Sequence, residues 1–167
     1  MEVRLARLED VTHLPGVERS AAQLFVGSSQ AAIANGEVTP ATSYRPLIAQ
    51  DCVWVAADAD QPVAFAATER FEDALHLWEL AVRRDAQRRG VGRALLAAVV
   101  ADAAARGLAA VTLTTFREIA WNGPLYRRLG FVELSEAELN PRLTAVRARE
   151  AALGLDVANR CAMRLPL

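Results

Sequence analysis

An α/β fold, with a central mixed and mostly antiparallel sheet flanked by helices, is the architecture this sequence predicts. Three observations point to it. Short runs rich in β-branched and aromatic residues recur along the chain, at Cys52–Ala57, Val63–Thr68, His76–Val82 and Ala110–Phe116. An alanine-rich run of helical character, Ala94–Arg106, lies between the last two. Glycines at 107 and 130 fall where helices would close.

The elements follow in order. Val3–Leu5 is a short strand. Leu8-Glu9-Asp10 opens a helical stretch that runs through Val17 and Leu24 to Phe25, with Asp10 as its N-cap and a break at Pro15. Val26–Pro46 is irregular apart from a short helical piece at Ala31–Ala34, ended by Asn35-Gly36. Cys52–Ala57 and Val63–Thr68 form an antiparallel hairpin across the turn residues Asp58–Pro62. His76–Val82, the helix Gly92–Arg106 and Ala110–Phe116 make a crossover unit, so those two strands are expected to be parallel. A short helix Trp121–Leu129, a strand Phe131–Leu134, a helical stretch Glu136–Leu153 interrupted at Asn140-Pro141, and a strand Arg160–Leu165 complete the chain.

Length and composition bound the function. The chain has 167 residues, which suits one domain spanning 1–167. It is 53% apolar and 23% charged, enough to fill a core and remain soluble. A net charge of -1 gives no broad basic field, so nucleic acid is not an expected partner. The arginines are instead local: Arg83, Arg84, Arg88, Arg89 and Arg93 crowd one stretch, which suits a small anion better than a long polyanion. The two cysteines, Cys52 and Cys161, sit in apolar strand contexts with no metal-ligand spacing, so they read as buried thiols and no metal is expected. No stretch has the length and apolarity of a membrane helix, no apolar leader opens the chain, and a cytoplasmic protein is expected.

The chemistry concentrates in Gln87-Arg88-Arg89-Gly90-Val91-Gly92-Arg93-Ala94, where a strand hands over to a helix N-terminus. Backbone N–H groups there point outward without partners, and the helix dipole favours an anion. Two nucleotide loops are excluded. A Walker loop needs Gly-Lys-Ser/Thr, and Gly92 is followed by Arg93-Ala94. The dinucleotide fingerprint needs a small residue where Leu95 stands, and an acidic residue where the next strand ends Thr114-Thr115-Phe116.

The pattern that fits is Gln/Arg-x-x-Gly-x-Gly/Ala, with a second motif, Tyr126-Arg127-Arg128-Leu129-Gly130-Phe131, after the next strand. In these segments, from about Leu75 to Phe131, the chain resembles the GCN5-related N-acetyltransferase (GNAT) superfamily. The resemblance implies that Gln87, Arg88, Arg89, Gly90, Val91, Gly92, Arg93 and Ala94 wrap the pyrophosphate of acetyl-coenzyme A, used as a cosubstrate. It implies that Leu80, Ala81 and Val82 hydrogen-bond the pantetheine arm through their backbones, with an N–H there polarising the acetyl carbonyl. Asn122 is a candidate for pantetheine contact or for capping the short helix. Many relatives carry their asparagine three residues earlier, where this chain has Ile119.

Acetyl transfer to an amine needs a proton acceptor, an acid for the leaving thiolate and an N–H for the carbonyl oxygen. By resemblance Tyr126 is the acid. His76 and Glu79 compete as the base: a relative has a histidine facing the amine at the His76 position, but it has a second one where this chain has Trp78, and other relatives use carboxylates near Glu79. Strict alternation puts His76 and Trp78 on one face and Glu79 on the other, and a bulge common in the family would break that alternation. The expected reaction is direct transfer to a primary amine of a small molecule or peptide. The alternatives are a non-catalytic, coenzyme A-binding regulatory domain of the same fold, or transfer of a longer acyl group. Relatives often form homodimers. The acceptor region is expected within Glu18–Tyr44, where Glu18 and Glu37 are either attractors of a cationic amine or plain surface charge.

Overall fold

The computed structural model describes residues 1–167. Seven strands form one mixed sheet in the order β1-β2-β3-β4-β5-β7-β6. They are β1 (Glu2–Leu5), β2 (Val53–Asp58), β3 (Gln61–Phe71), β4 (Ala74–Val82), β5 (Ala110–Phe116), β6 (Val132–Glu133) and β7 (Arg160–Pro166). The α-helices are α1 (Leu14–Ala22), α2 (Ala41–Ile48), α3 (Val91–Ala105), α4 (Gly123–Arg128) and α5 (Pro141–Ala152). The expected mixed architecture is present, with β4 and β5 parallel over Ala74–Leu77 and Ala110–Leu113, and the β1–β2, β2–β3, β5–β7 and β6–β7 pairs antiparallel.

Contacts divide the chain into two compact units, Met1–Glu69 with Trp78–Asp102, and Arg70–Leu77 with Ala103–Leu167. In the first, β2 and β3 form the expected hairpin. Its turn residues Ala59 and Asp60 have φ of 47° and 65°, the pair of left-handed conformations that suits the twist of a two-residue hairpin. The inward residues Val53, Val55, Phe65, Ala67 and Ala81 pack with Val11, Leu14 and Val17 of the N-terminal segment and with Tyr44 and Ile48 of α2. Along α3, Val91, Leu95, Val99 and Ala103 recur at helical spacing and are all buried. Gly107, at φ 67°, closes α3 as expected.

Two local expectations differ from the structure, and a third holds for another reason. Asp10 is not an N-cap. It lies third in a 3₁₀ helix (Leu8–Thr12), where its carboxylate accepts the Arg7 N–H at 2.6 Å and pairs with both terminal nitrogens of Arg4 at 2.7 and 3.1 Å. Pro15 does separate helical pieces, because it starts α1 rather than interrupting it. The segment expected to be irregular contains α2, with Pro46 inside it and Pro40 at its N-cap.

In the second unit, β7 pairs with β5 along seven residues and with β6 along Val132–Glu133. Asn140 caps α5 by accepting the Leu143 N–H at 2.8 Å, which explains why the helix begins at Pro141. Glu150 of α5 is buried and accepts from Arg160 at 2.8 Å, Arg147 at 3.1 Å and the Thr114 hydroxyl at 2.5 Å. Burial pushes its pKa up, but the Arg160 and Thr114 hydrogen bonds and the two arginine charges outweigh that and leave it lowered. The carboxylate is therefore charged where it pins α5 to β5 and β7.

Candidate functional site

In the first unit, β4 delivers the chain into the glycine–arginine loop. After Val82 the backbone makes one 3₁₀ turn, Arg84–Ala86, and Gln87 then returns its side-chain amide to the Val82 carbonyl at 3.0 Å. Arg88 has φ 59° and Gly90 φ 78°, so the loop reverses twice before α3 begins at Val91. A β-carbon at Gly92 would come within 3.3 Å of Val82 Cγ2 and 4.0 Å of Leu80 Cδ2. Glycine at 92 therefore lets the first turn of α3 lie directly against the end of β4.

The consequence is a run of unsatisfied donors. None of the backbone N–H groups from Arg88 to Arg93 reaches a backbone acceptor, and the first that does is Ala94, to the Gly90 carbonyl at 3.0 Å. Four orphan N–H groups are ordinary for a helix start, and here the preceding loop extends the run. Arg88, Arg89 and Arg93 are all exposed around it. The nearby carboxylate Asp85 is hydrogen-bonded to Arg83 at 2.6 Å, and the Arg89 charge also acts on it. Donors without backbone acceptors, exposed positive charge and a helix N-terminus together fit a phosphorylated ligand.

β4 alternates strictly where it meets this loop. Leu80 and Val82 face Gly92, while Ala81 packs into the core with Tyr44 and Phe65. Glu79, two residues before Ala81, is half-buried. Its charge acts on the Tyr44 hydroxyl. Burial chiefly raises the Tyr44 pKa, a Thr39 hydrogen bond opposes, and the charges of Glu18 and Glu79 add to the rise, so the hydroxyl keeps its proton. Trp78 faces away from Glu79 and donates its indole N–H to Glu69 at 2.9 Å.

In the second unit, His76 is fully buried at 0% exposure. Its ring stacks on Phe71 at 4.8 Å and 8°, and Nδ1 shares a hydrogen bond with the Thr112 hydroxyl at 3.0 Å. Arg142 lies over the other partner, 4.0 Å from the Phe71 ring. Burial lowers the His76 pKa to about 4, against a raising effect of Glu150 and with a further lowering by Arg142. This is an interior, neutral imidazole.

Tyr126 lies on α4, buried, with its ring edge-on to Phe131 at 5.4 Å. Both belong to the motif read from the sequence, and Gly130 at φ 94° makes the turn between them. Gly123, which the sequence reading missed, fixes α4. A β-carbon there would collide with the Arg117 carbonyl and lie 2.9 Å from the Phe116 carbonyl. Its sequence signal is weak because the demand is for close approach to the end of β5, which no local pattern encodes. Asn122 occupies the N-cap position but its side chain caps nothing, so the capping role is not the one it plays. Its Oδ1 is instead buried and accepts no hydrogen bond.

Both cysteines are free and buried, and burial chiefly pushes the Cys161 thiol up to about 11. No group of three or more His, Cys, Asp or Glu side chains could hold a metal ion, and no helix is long and apolar enough to cross a membrane.

Comparison with known proteins gives this arrangement a context. Among solved structures, the PaiA N-acetyltransferase of Thermoplasma acidophilum, in complex with coenzyme A, has a TM-score of 0.73 and 14% identity over 99% of this chain and 98% of that one. The N-acetylglutamate synthase of Neisseria gonorrhoeae, complexed with coenzyme A and N-acetyl-glutamate, gives 0.71 and 18% over 99% of this chain and 35% of that one. The ribosomal-protein-S18-alanine N-acetyltransferase of Escherichia coli gives 0.67 and 20%, covering 99% and 92%. At these identities the likeness is one of fold. A family model described as an acetyltransferase (GNAT) domain matches residues 49–133, from the start of the β2–β3 hairpin through the glycine–arginine loop to Tyr126 and β6. With just over half of the chain matched and the fold in agreement, this protein belongs to the GNAT acetyltransferase family.

Proposed function

We propose that this chain, as a single domain over residues 1–167, transfers the acetyl group of acetyl-coenzyme A directly to a primary amine of a small molecule or peptide. The observation that carries the reading is the run of unsatisfied N–H groups from Arg88 to Arg93. These amides fit a pyrophosphate, with Arg88, Arg89 and Arg93 neutralising its charge and Gln87, by holding the Val82 carbonyl, fixing the loop. The backbone of Leu80, Ala81 and Val82 serves the pantetheine arm, and Asn122, whose buried oxygen lacks a donor, is the side chain suited to an amide N–H of that arm.

Glu79 is the base. It is half-buried on the face of α1 and α2, and a carboxylate there takes a proton from the incoming ammonium, directly or through one water. His76 is assigned to packing, because a buried imidazole with a pKa of about 4 is a poor proton acceptor. The freed amine attacks the acetyl carbonyl carbon, a C–N bond forms and the C–S bond breaks. An N–H at the end of β4 meets the negative charge on the carbonyl oxygen, the Tyr126 hydroxyl protonates the departing thiolate, and the proton that the nitrogen sheds on becoming an amide returns through water to the Tyr126 oxygen.

Thiol release from acetyl-coenzyme A, followed across aminoglycosides, polyamines, arylalkylamines, amino acids and peptide N-termini, tests the reading. Tyr126→Phe should lower turnover by about 100-fold while coenzyme A affinity stays unchanged. Coenzyme A binding without thiol release on any amine would refute catalysis and leave a regulatory domain. Release with longer acyl thioesters at equal efficiency would refute the choice of acetyl.

A further inference from the structure

On α1, one side chain is committed to holding another. Both carboxylate oxygens of Glu18 accept the Thr39 N–H at 3.1 Å, and Oε1 also faces the Thr39 hydroxyl at 3.4 Å. Oε2 accepts the Tyr44 hydroxyl at 2.9 Å. All of these donors are neutral, and Glu18 has no arginine or lysine partner.

The side chain it holds lies in the core. The Tyr44 ring meets Phe65 edge-on at 5.3 Å and 76°, in the cluster that contains Ala81 of β4. Glu79 is two residues along β4 from Ala81, and its charge is felt at the Tyr44 oxygen. The hydroxyl proton is directed to Glu18, so α1, the Thr39 turn and α2 are joined at one point beside the proposed base.

We propose that Glu18 is a positioning residue for the acceptor amine, acting through Thr39 and Tyr44 rather than by touching the substrate. This rests on the acetyltransferase reading above. Glu18 fixes where α2 stands relative to α1, and that fixes the wall beside Glu79 that an amine meets.

The test uses Glu18→Gln, Tyr44→Phe and the double variant, each on the full chain. Coenzyme A binding is measured by calorimetry, and thiol release is measured with spermidine, tyramine and an alanine-initiated peptide as the amines. For whichever amine the wild type uses best, each single variant should raise KM about tenfold, with kcat within about threefold and coenzyme A affinity unchanged. The double variant should match the worse single one, because both act on one hydrogen bond. Unchanged KM, parallel loss of coenzyme A affinity, or additive effects would overturn the proposal. Should Glu18→Gln fail to fold, Tyr44→Phe, which loses only a hydroxyl, decides alone. A wild type that binds no coenzyme A, or that binds it and acetylates none of the three amines, overturns the acetyltransferase reading for these acceptors and the positioning role with it.

Discussion

Acidification should destabilise this protein through His76, and the size of the effect can be worked out. The imidazole is fully buried against Phe71 and Thr112, and its pKa falls from 6.5 to about 4. Its folded pKa is lowered, so the unfolded chain binds a proton there at higher pH than the native state does. The contribution to stability is therefore fully present above pH 6.5 and is lost as pH falls from 6.5 towards 4. At 1.36 kcal/mol per pKa unit, the shift from 6.5 to about 4 corresponds to about 3 kcal/mol. Urea unfolding of the wild type and of His76→Leu at intervals between pH 7 and pH 4 measures it. Carboxylates titrate in both proteins, so the difference between the two curves isolates the histidine. That difference should change by about 3 kcal/mol over the window, with the wild type losing more. The ring proton resonances of His76 should also stay in their neutral positions down to about pH 5. A flat difference, or a His76 resonance that titrates near 6.5, would refute the burial argument and restore His76 as a base.

Two further changes probe what holds the site in place. Gly123→Ala should cost about 2 kcal/mol in urea unfolding, because the added carbon meets the Phe116 and Arg117 carbonyls and neither can rotate aside. A cost below about 0.5 kcal/mol would show that α4 is not clamped to β5. Glu150→Ala should cost about 3 kcal/mol, since it leaves the half-buried Arg147 and Arg160 without their carboxylate. The double change Glu150→Leu with Arg160→Met should recover part of that loss, and no recovery would argue against unpaired charge as its cause.

Most of the secondary structure was legible in the sequence, for reasons that can be named. The β2–β3 hairpin, the β4–α3–β5 crossover and the glycine ends of α3 and α4 are local signals: runs rich in β-branched and aromatic residues set off by turn residues, an alanine-rich run, and residues that tolerate positive φ. The family-defining segments coincide with these local signals, which is why the fold and the loop could be read together. What the sequence hid was tertiary. α2 was missed because Pro46 lies within it and its stability comes from burying Tyr44 and Ile48. Asp10 looked like a cap, yet the partner that defines it is the guanidinium of Arg4, six residues back on β1. For the base, spacing on β4 left His76 and Glu79 equal. The difference between them is burial, with His76 at 0% exposure and Glu79 half-buried, and burial is set by Phe71 and Thr112, which no pattern around His76 announces. The Glu18–Tyr44 hydrogen bond joins residues far apart in sequence and was equally silent.

The most direct measurement is the affinity of the protein for coenzyme A compared with pantetheine, which lacks the pyrophosphate. A pyrophosphate held by the amides of Arg88–Arg93 predicts that coenzyme A binds at least on the order of 100-fold more tightly, as about two charge-assisted hydrogen bonds would give. Arg88→Ala with Arg93→Ala should remove much of that preference while leaving pantetheine binding as it was. Equal affinities for the two ligands, or no binding of coenzyme A, would contradict the assignment of the loop and the acetyltransferase reading that depends on it.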